Sequence, residues 1–384
     1  MVDIEYMRRI KILEKKARNG NVEAVSDLAY FYWKGVGVRK NYRKSFEYCK
    51  QGLRLHDAYL VFHLADAYYY GKGTKRNLKL AAKYYRWAAL KGIPEAMTSL
   101  GICYRYGEGV RRNVKEAARW YKKAAKQGDV DAIRNIGYYY RDGIGVKKNL
   151  KKAFEYFKQG PKLHSEDLVW YLADAYADGE GVRKNLKLAA KYYRWAALKG
   201  IPEAMTSLGV CYRYGKGVKE NEREAVKWYK KAAKQGQEDA LNNLGICYKN
   251  GEGVSKSLKK SFEYYKLAAK KGHPGSQYSL STAYLEGIGV PKNPKEGIKR
   301  LIKFAKNKDP EACLDLGVYY HNGVGVRKNF VKSVAYYRIA ALQNEGHAQY
   351  NLGLCYRDGE GVRQSNRKAR EWFKKAAKNG FRVV

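Results

Sequence analysis

The sequence lacks any long run of apolar residues. Its apolar stretches stay well below the roughly 18 residues of a membrane-spanning helix. The segment up to Gly20 is rich in charge and has no apolar core of the kind found in a secretory signal. We therefore predict an intracellular, soluble protein without a transmembrane segment.

Cysteine and histidine are scarce, and neither occurs at the spacing of a metal site. The 6 cysteines include no Cys-x-x-Cys pair, and the 6 histidines fall at unrelated positions. We predict no metal site on this basis. Four cysteines share one position, four residues before a recurring glycine, where we expect them to be reduced and buried as small apolar side chains. These are Cys103, Cys211, Cys247 and Cys355.

No arrangement of nucleophile, base and acid is suggested by the residue spacing. We therefore predict no catalytic residues, no cofactor and no small-molecule substrate, and hence a protein that is not an enzyme. An enzyme would need a cluster of titratable groups in one pocket, which only a structure can show.

Acidic residues are few beside the basic ones, with 37 Asp and Glu against 77 Lys and Arg, so the formal net charge is +40. Such a surplus attracts nucleic acid, anionic membranes or acidic proteins. A solvated lysine-rich surface without a specific ligand is the alternative, since net charge governs solubility and encounter more than function.

The sequence is dominated by a Gly-x-Gly-Val or Gly-x-Gly-Thr motif that recurs every 36 residues without insertion or deletion. A period of this size indicates a stacked array of helical repeats. A phosphate-binding loop is not expected, because such a loop needs a preceding strand. The motif begins at Gly35, Gly71, Gly107, Gly143, Gly179, Gly215, Gly251, Gly287, Gly323 and Gly359.

Each repeat is predicted to contain a helix A, the glycine loop and a helix B. In the third repeat, helix A runs from about Pro94 to Tyr106, and Asn113 is the N-cap of helix B. The small residue Gly101 allows another helix to approach closely. Residues 1–20 are predicted to form an N-terminal capping helix, and residues 21–384 to form ten repeats in one solenoid domain.

Two further features modify the array. Asn77 to Gly107 is identical to Asn185 to Gly215 except for Ile102 and Val210, which indicates duplication of a three-repeat block of 108 residues. The repeat pattern breaks down in three places, where we expect kinks or looser joints. These are Gly52 to Tyr59, Gly160 to Asp167 and Gly297 to Lys308.

The segment from Ala96 to Gly128 resembles the Sel-one-like repeat, a relative of the tetratricopeptide repeat. It shares the pattern Ala-x-x-x-Leu-Gly-x-x-Tyr-x-x-Gly-x-Gly-Val before Asn113, and Trp-Tyr-x-x-Ala-Ala-x-x-Gly after it. The resemblance implies an all-α protein, an α/α solenoid coiled into a right-handed superhelix, that acts as an adaptor or scaffold for other proteins. Some members have paired cysteines and an attributed penicillin-binding activity. This sequence lacks the cysteine pairs, so neither property is expected here.

The resemblance also implies that helix A lines a concave groove, at positions 12, 9, 5, 2 and 1 residues before the loop glycine. Large aromatic residues and arginine are typical anchors of protein interfaces. We expect about half of these residues to serve in packing instead, as aromatic residues at helical spacing usually do. The candidate partner-binding residues are Tyr30, Trp33, Phe62, Asp66, Tyr69, Tyr70, Arg105, Tyr106, Arg134, Tyr138, Arg141, Trp170, Asp174, Arg213, Tyr214, Tyr278 and Tyr350.

A second candidate surface is a series of basic pairs that follow the glycine loop, here called the basic ladder. Stacked repeats would align these pairs along one edge, where phosphates or an acidic surface could bind. Nucleic acid or another polyanion is therefore the alternative partner, and a solvated rim is the explanation without a ligand. The basic ladder consists of Arg39, Lys40, Lys75, Arg76, Arg111, Arg112, Lys147, Lys148, Arg183, Lys184, Arg327 and Lys328.

Overall fold

The structure, a computed structural model, describes residues 4–381, which form α-helices joined by turns and loops. The helices are α1 (Ile4–Arg18), α2 (Val22–Lys34), α3 (Tyr42–Arg54), α4 (Ala58–Tyr70), α5 (Leu78–Leu90), α6 (Pro94–Tyr106), α7 (Val114–Lys126), α8 (Val130–Asp142), α9 (Leu150–Phe157), α10 (Glu166–Asp178), α11 (Leu186–Leu198), α12 (Pro202–Arg213), α13 (Glu222–Lys234), α14 (Glu238–Asn250), α15 (Leu258–Lys270), α16 (Pro274–Glu286), α17 (Pro294–Ala305), α18 (Pro310–Asn322), α19 (Phe330–Ala341), α20 (Gly346–Asp358) and α21 (Asn366–Lys378). The all-α prediction is confirmed. Paired neighbouring helices, such as α6 with α7, form the repeats of an α/α solenoid.

Local interactions set the ends of the helices as the sequence predicts. Pro94 occupies the first turn of α6, where its missing N–H leaves no hydrogen bond unmade. Gly107 ends α6 in the left-handed conformation, with φ +79°, and its amide donates to the carbonyl of Cys103 at 2.9 Å. The side chain of Asn113 then accepts from the amide of Glu116 at 3.1 Å, which starts α7.

The second glycine of the loop serves packing between repeats. Gly109 has φ +73°, and a Cβ added there would overlap the carbonyl oxygen of Leu78, at the start of the preceding helix B. Only glycine combines this backbone conformation with so close an approach. The loop therefore fixes the distance between consecutive repeats.

Helices A and B of one repeat meet at a small residue, as predicted. A Cβ added to Gly101 would lie 2.5 Å from the ring of Tyr121 on α7. Behind this contact the predicted cysteines are buried, and burial raises the pKa of the Cys103 thiol to about 12. The Cys103 thiol is therefore protonated and packs as an apolar group.

At two of the three predicted joints, a histidine stands where regular repeats have glycine. α9 ends after 8 residues, and His164 in the following turn has φ +49°. His56, its counterpart after α3, has φ +53°, so both histidines adopt the conformation that glycine has in regular repeats. At the third joint Lys308 does the same, with φ +59°. These residues carry the strain that glycine avoids.

The chain divides into two compact units, and the boundary lies between Tyr192 and Tyr193 inside α11. Unit 1 contains α1 to α10, and unit 2 contains α12 to α21. The division into a capping helix of residues 1–20 and one domain of residues 21–384 stays a prediction; residues 1–3 and 382–384 of these ranges lie outside the described residues. Each helix in the described part is too short or too polar to cross a bilayer.

Candidate protein-binding surface

The tyrosines directly before the loop glycine are the most exposed of the predicted groove residues. Tyr70 and Tyr106 are each 61% exposed, and Tyr214 is 55% exposed. Tyr30 on α2, which stands five residues before its loop glycine, is 54% exposed. These four side chains are the part of the predicted set that a partner could contact without rearrangement.

The residues two positions before the loop glycine instead contact the following repeat. Tyr69 donates a hydrogen bond to Glu108, and the Lys72 ammonium lies 4.7 Å from the centre of the Trp33 ring. Arg213 pairs with Glu252 of the following repeat. These predicted groove residues therefore join one repeat to the next.

Residues further from the loop are half-buried and make contacts within a repeat or between neighbouring repeats. The hydroxyl of Tyr85 donates to Asp66 at 2.7 Å, which links α5 to α4. The hydroxyl of Tyr278 donates to Asp315 at 2.8 Å, and burial raises the pKa of that carboxyl above its usual value. Part of the predicted set thus has a packing role.

The remaining predicted residues are half-buried as well. Arg134 forms ion pairs with Asp131 and Asp167. The ring centre of Tyr350 lies 5.4 Å from that of Phe373 and 4.6 Å from that of Phe381. The Arg141 guanidinium lies 4.5 Å from the centre of the Tyr138 ring. Also half-buried on helices A are Phe62, Trp170 and Asp174.

A cavity of about 480 Å³ lies beside the first two repeats of unit 1. It brings together the predicted residues Tyr30, Trp33 and Asp66. The structure adds His63 and Lys72, which the sequence analysis missed. Lys72 follows a loop glycine, and only its spacing of 39 residues from Trp33 could have indicated the contact.

The basic ladder is exposed throughout. Some of its members also have structural contacts. Arg76 donates from Nε to the carbonyl of Tyr69 at 3.0 Å, and Arg112 donates in the same way to Arg105 at 3.1 Å. These arginines satisfy carbonyl groups at the ends of helices A, where a cation is also favoured by the helix dipole. The first member of each pair, such as Arg111, is the better candidate for an external anion.

Nothing within residues 4–381 resembles a metal centre, because no group of three or more His, Cys, Asp or Glu side chains there could hold an ion. The geometry supports recognition through aromatic surfaces and hydrogen bonds.

The family model of the Sel1 repeat matches the chain in ten segments. The unmatched residues 161–168 coincide with the irregular joint after α9. The matched segments are residues 22–57, 59–93, 94–129, 130–160, 169–201, 202–237, 238–273, 274–309, 310–345 and 346–381.

Two of the solved structures that are similar to this chain are themselves repeat proteins of this type. A protective antigen present in uropathogenic Escherichia coli strains, which displays an SLR fold, is 27% identical with a TM-score of 0.73; the match covers 96% of this chain and 80% of that one. A Sel1 repeat protein from Oxalobacter formigenes is 28% identical with a TM-score of 0.59, over 78% of this chain and 87% of that one. No curated protein matches the chain.

Proposed function

The chain belongs to the Sel1 repeat family, and we propose that it is a non-enzymatic scaffold that binds a protein partner along its helices A. Sel1 repeat proteins are generally protein-interaction scaffolds. The observation that carries the proposal is the repeated exposure of an aromatic side chain at one repeat position, in Tyr70, Tyr106 and Tyr214. Exposed tyrosine beside arginine is a frequent anchor of protein interfaces.

The test is capture of a protein from lysates of the source cells by the intact chain. Substitution of Tyr70, Tyr106 and Tyr214 together by alanine should abolish capture, because each exposed ring contributes apolar contact area. The matched control replaces Leu90 and Leu198 by alanine, since both are 67% exposed but lie on helices B. Equal capture by the tyrosine variant and wild type would contradict the proposal.

The alternative function is binding of a polyanion through the basic ladder, and the exposure of its members favours it. Alanine at Arg39, Arg111 and Lys147 should then reduce binding of nucleic acid and weaken its dependence on salt. Recovery of nucleic acid alone, with release at moderate salt, would favour this alternative over the scaffold.

A further inference from the structure

One arginine position distinguishes a single repeat from its counterparts. Arginine stands two residues before the loop glycine in four repeats, and three of these arginines have a carboxylate partner. Arg105 is the exception: in the part of the chain that the structure describes, no acidic oxygen lies within 4.0 Å of it. The three pairs join Nε of Arg141 to Asp142 at 3.0 Å, Nε of Arg213 to Glu252 at 2.6 Å, and Nε of Arg357 to Asp358 at 2.8 Å.

The missing acid follows from the sequence of the next repeat. Arg105 and Arg213 lie in duplicated segments with the same neighbours, from cysteine to the loop glycine. Glu252, in the glycine loop of the repeat that follows Arg213, corresponds to Ile144 in the glycine loop of the repeat that follows Arg105. The duplicated arginine has therefore kept its place, while the loop opposite provides an acid in only one copy.

The Arg105 guanidinium is held in the same place with or without that acid. Its Cζ lies 5.0 Å from the centre of the Tyr106 ring, and Cζ of Arg213 lies 4.9 Å from the centre of the Tyr214 ring. Stacking on the neighbouring ring thus orients both side chains. A carboxylate that reaches Arg105 would find its donors already positioned, which lowers the entropic cost of binding.

Two buried hydroxyl groups lie beside Arg105, those of Tyr121 and Tyr139, and both side chains are 0% exposed. The Tyr121 hydroxyl is within hydrogen-bonding reach of Arg105, whereas the Tyr139 hydroxyl has no hydrogen-bond partner among residues 4–381. Burial raises the pKa of each hydroxyl, and Arg105 lowers it. Tyr229, the counterpart of Tyr121, makes the same contact with Arg213. Cys247 stands in the place of Tyr139 in that copy, so Tyr139 is a donor that only the first copy provides.

A second cation adjoins Arg105. Arg112 donates from Nε to the Arg105 carbonyl at 3.1 Å, and its charge also lowers the pKa of Tyr139. Arg112 is exposed and has no carboxylate within 4.0 Å in the described structure. Two arginines without acids, next to an unpartnered hydroxyl, give a local surplus of hydrogen-bond donors and positive charge.

We propose that Arg105, Arg112 and Tyr139 form a binding site for the carboxylate of an acidic side chain on the partner protein. The carboxylate pairs with the Arg105 guanidinium as the carboxylate of Glu252 pairs with that of Arg213. A bidentate carboxylate matches the arginine fork, and the pair in unit 2 shows the same donor holding that group. This site rests on the proposed scaffold function and gives the chemistry of the segment that the scaffold recognises.

The test follows the arginine Nε–H resonances in the full chain labelled with ¹⁵N-arginine, assigned by Arg105→Lys and Arg213→Lys. The probe is a short peptide of alternating Glu and Gly, with a Gln and Gly peptide as its uncharged match. The Arg105 resonance should shift and saturate with the acidic peptide, while that of Arg213 should not. Arg105→Lys, which keeps the charge, should weaken peptide binding about tenfold; Arg111→Lys is the matched control.

Exchange of the acids between the two copies provides the decisive variants. Asp142→Asn with Ile144→Glu gives the first copy the residues that the second copy has at these positions, Asn250 and Glu252, so Arg105 gains an internal partner. The Arg105 resonance should then shift in the absence of peptide and no longer respond when the acidic peptide is added. Asp142→Asn alone is the control. Glu252→Ile leaves Arg213 with Cys247 and Glu220 where Arg105 has Tyr139 and Arg112, so the Arg213 resonance should respond more weakly than that of Arg105.

The site would be overturned if the Arg105 resonance did not shift with the acidic peptide. It would also be overturned if the Arg105 and Arg213 resonances of the wild type shifted equally. A shift with a short oligonucleotide but none with the acidic peptide would overturn it in favour of a phosphate. The scaffold proposal is judged separately. If capture of the partner protein depends on Tyr70, Tyr106 and Tyr214 but not on Arg105, the scaffold proposal is supported and the proposal of a carboxylate site is wrong.

Discussion

The duplicated segments 77–107 and 185–215 have almost the same sequence but different surroundings. Thr98, on the first copy, donates to the carboxylate of Asp129 at 2.8 Å. Thr206, its counterpart, faces the amide oxygen of Gln237 at 3.1 Å and the carbonyl of Pro202 at 2.9 Å. The copied residue is the same, and the partner differs because it comes from the next repeat.

Arg105 and Arg213 differ for the same reason. The Arg213 side chain is only 9% exposed and pairs with Glu252, whereas Arg105 faces a loop that has Ile144. In a stacked array each unit contacts only its neighbours. Duplication of a repeat therefore copies its fold but leaves the chemistry of its surface to the repeat that follows.

The largest expected effect tests what the two copies share. Gly101→Val and Gly209→Val should each lower the free energy of unfolding by roughly 3 kcal/mol, because the new side chain meets the ring of Tyr121 or Tyr229. Urea unfolding followed by circular dichroism measures the loss. Arg86→Val and Arg194→Val, at exposed positions on helices B, control for the low helix propensity of valine. Unequal losses from the two glycine variants would show that the copies do not share their packing.

An intermediate effect tests where the copies differ. Glu252→Gln should destabilise the protein by about 1 to 3 kcal/mol at neutral pH, since it leaves the Arg213 guanidinium without its charged partner. Ile144→Gln, the matched change opposite Arg105, should cost less. Thermal and urea unfolding of both variants across a pH series measure the difference.

The pH dependence has a defined sign. Burial alone would raise the pKa of Glu252, but Arg213 and the amide of Asn250 lower it below its usual value. A carboxyl with a lowered pKa in the folded state stabilises the protein above its unfolded pKa, and this stability is lost as the pH falls through the lowered value. The gap between wild type and Glu252→Gln should therefore close in acid. A gap that widens in acid would contradict the pair.

The smallest effect compares the two threonines. Thr98→Val should cost about 1 to 2 kcal/mol, because it removes a hydrogen bond to a carboxylate. Thr206→Val should cost about 0.5 to 1 kcal/mol, since its acceptors are neutral. The midpoints of urea unfolding of the two variants give the comparison, with Asp129→Asn as the change that should make Thr98 resemble Thr206. A larger cost at Thr206 would contradict the role assigned to Asp129.

Much of the fold was predictable because its determinants are local. Asn113 caps α7 through an amide three residues away, and Gly107 ends α6 through a carbonyl four residues away. Gly101 indicated a close helix contact because a small residue recurs there. The exposed position of Tyr106 was predicted as part of the groove, but the sequence did not separate it from the neighbouring Arg105, which lies half-buried on two rings.

The sequence by itself determined the repeat, its helix ends and its internal packing, since these depend on residues close together in the chain. Only the tertiary structure decided which side chains meet across consecutive repeats. Tyr69 reaches Glu108, and His321 lies 3.6 Å from Glu360, in each case 39 residues away rather than 36. The offset arises because the end of one helix A lies against the next glycine loop. That contact is set by the packing of whole helices, and it places an acid opposite Arg213 and none opposite Arg105.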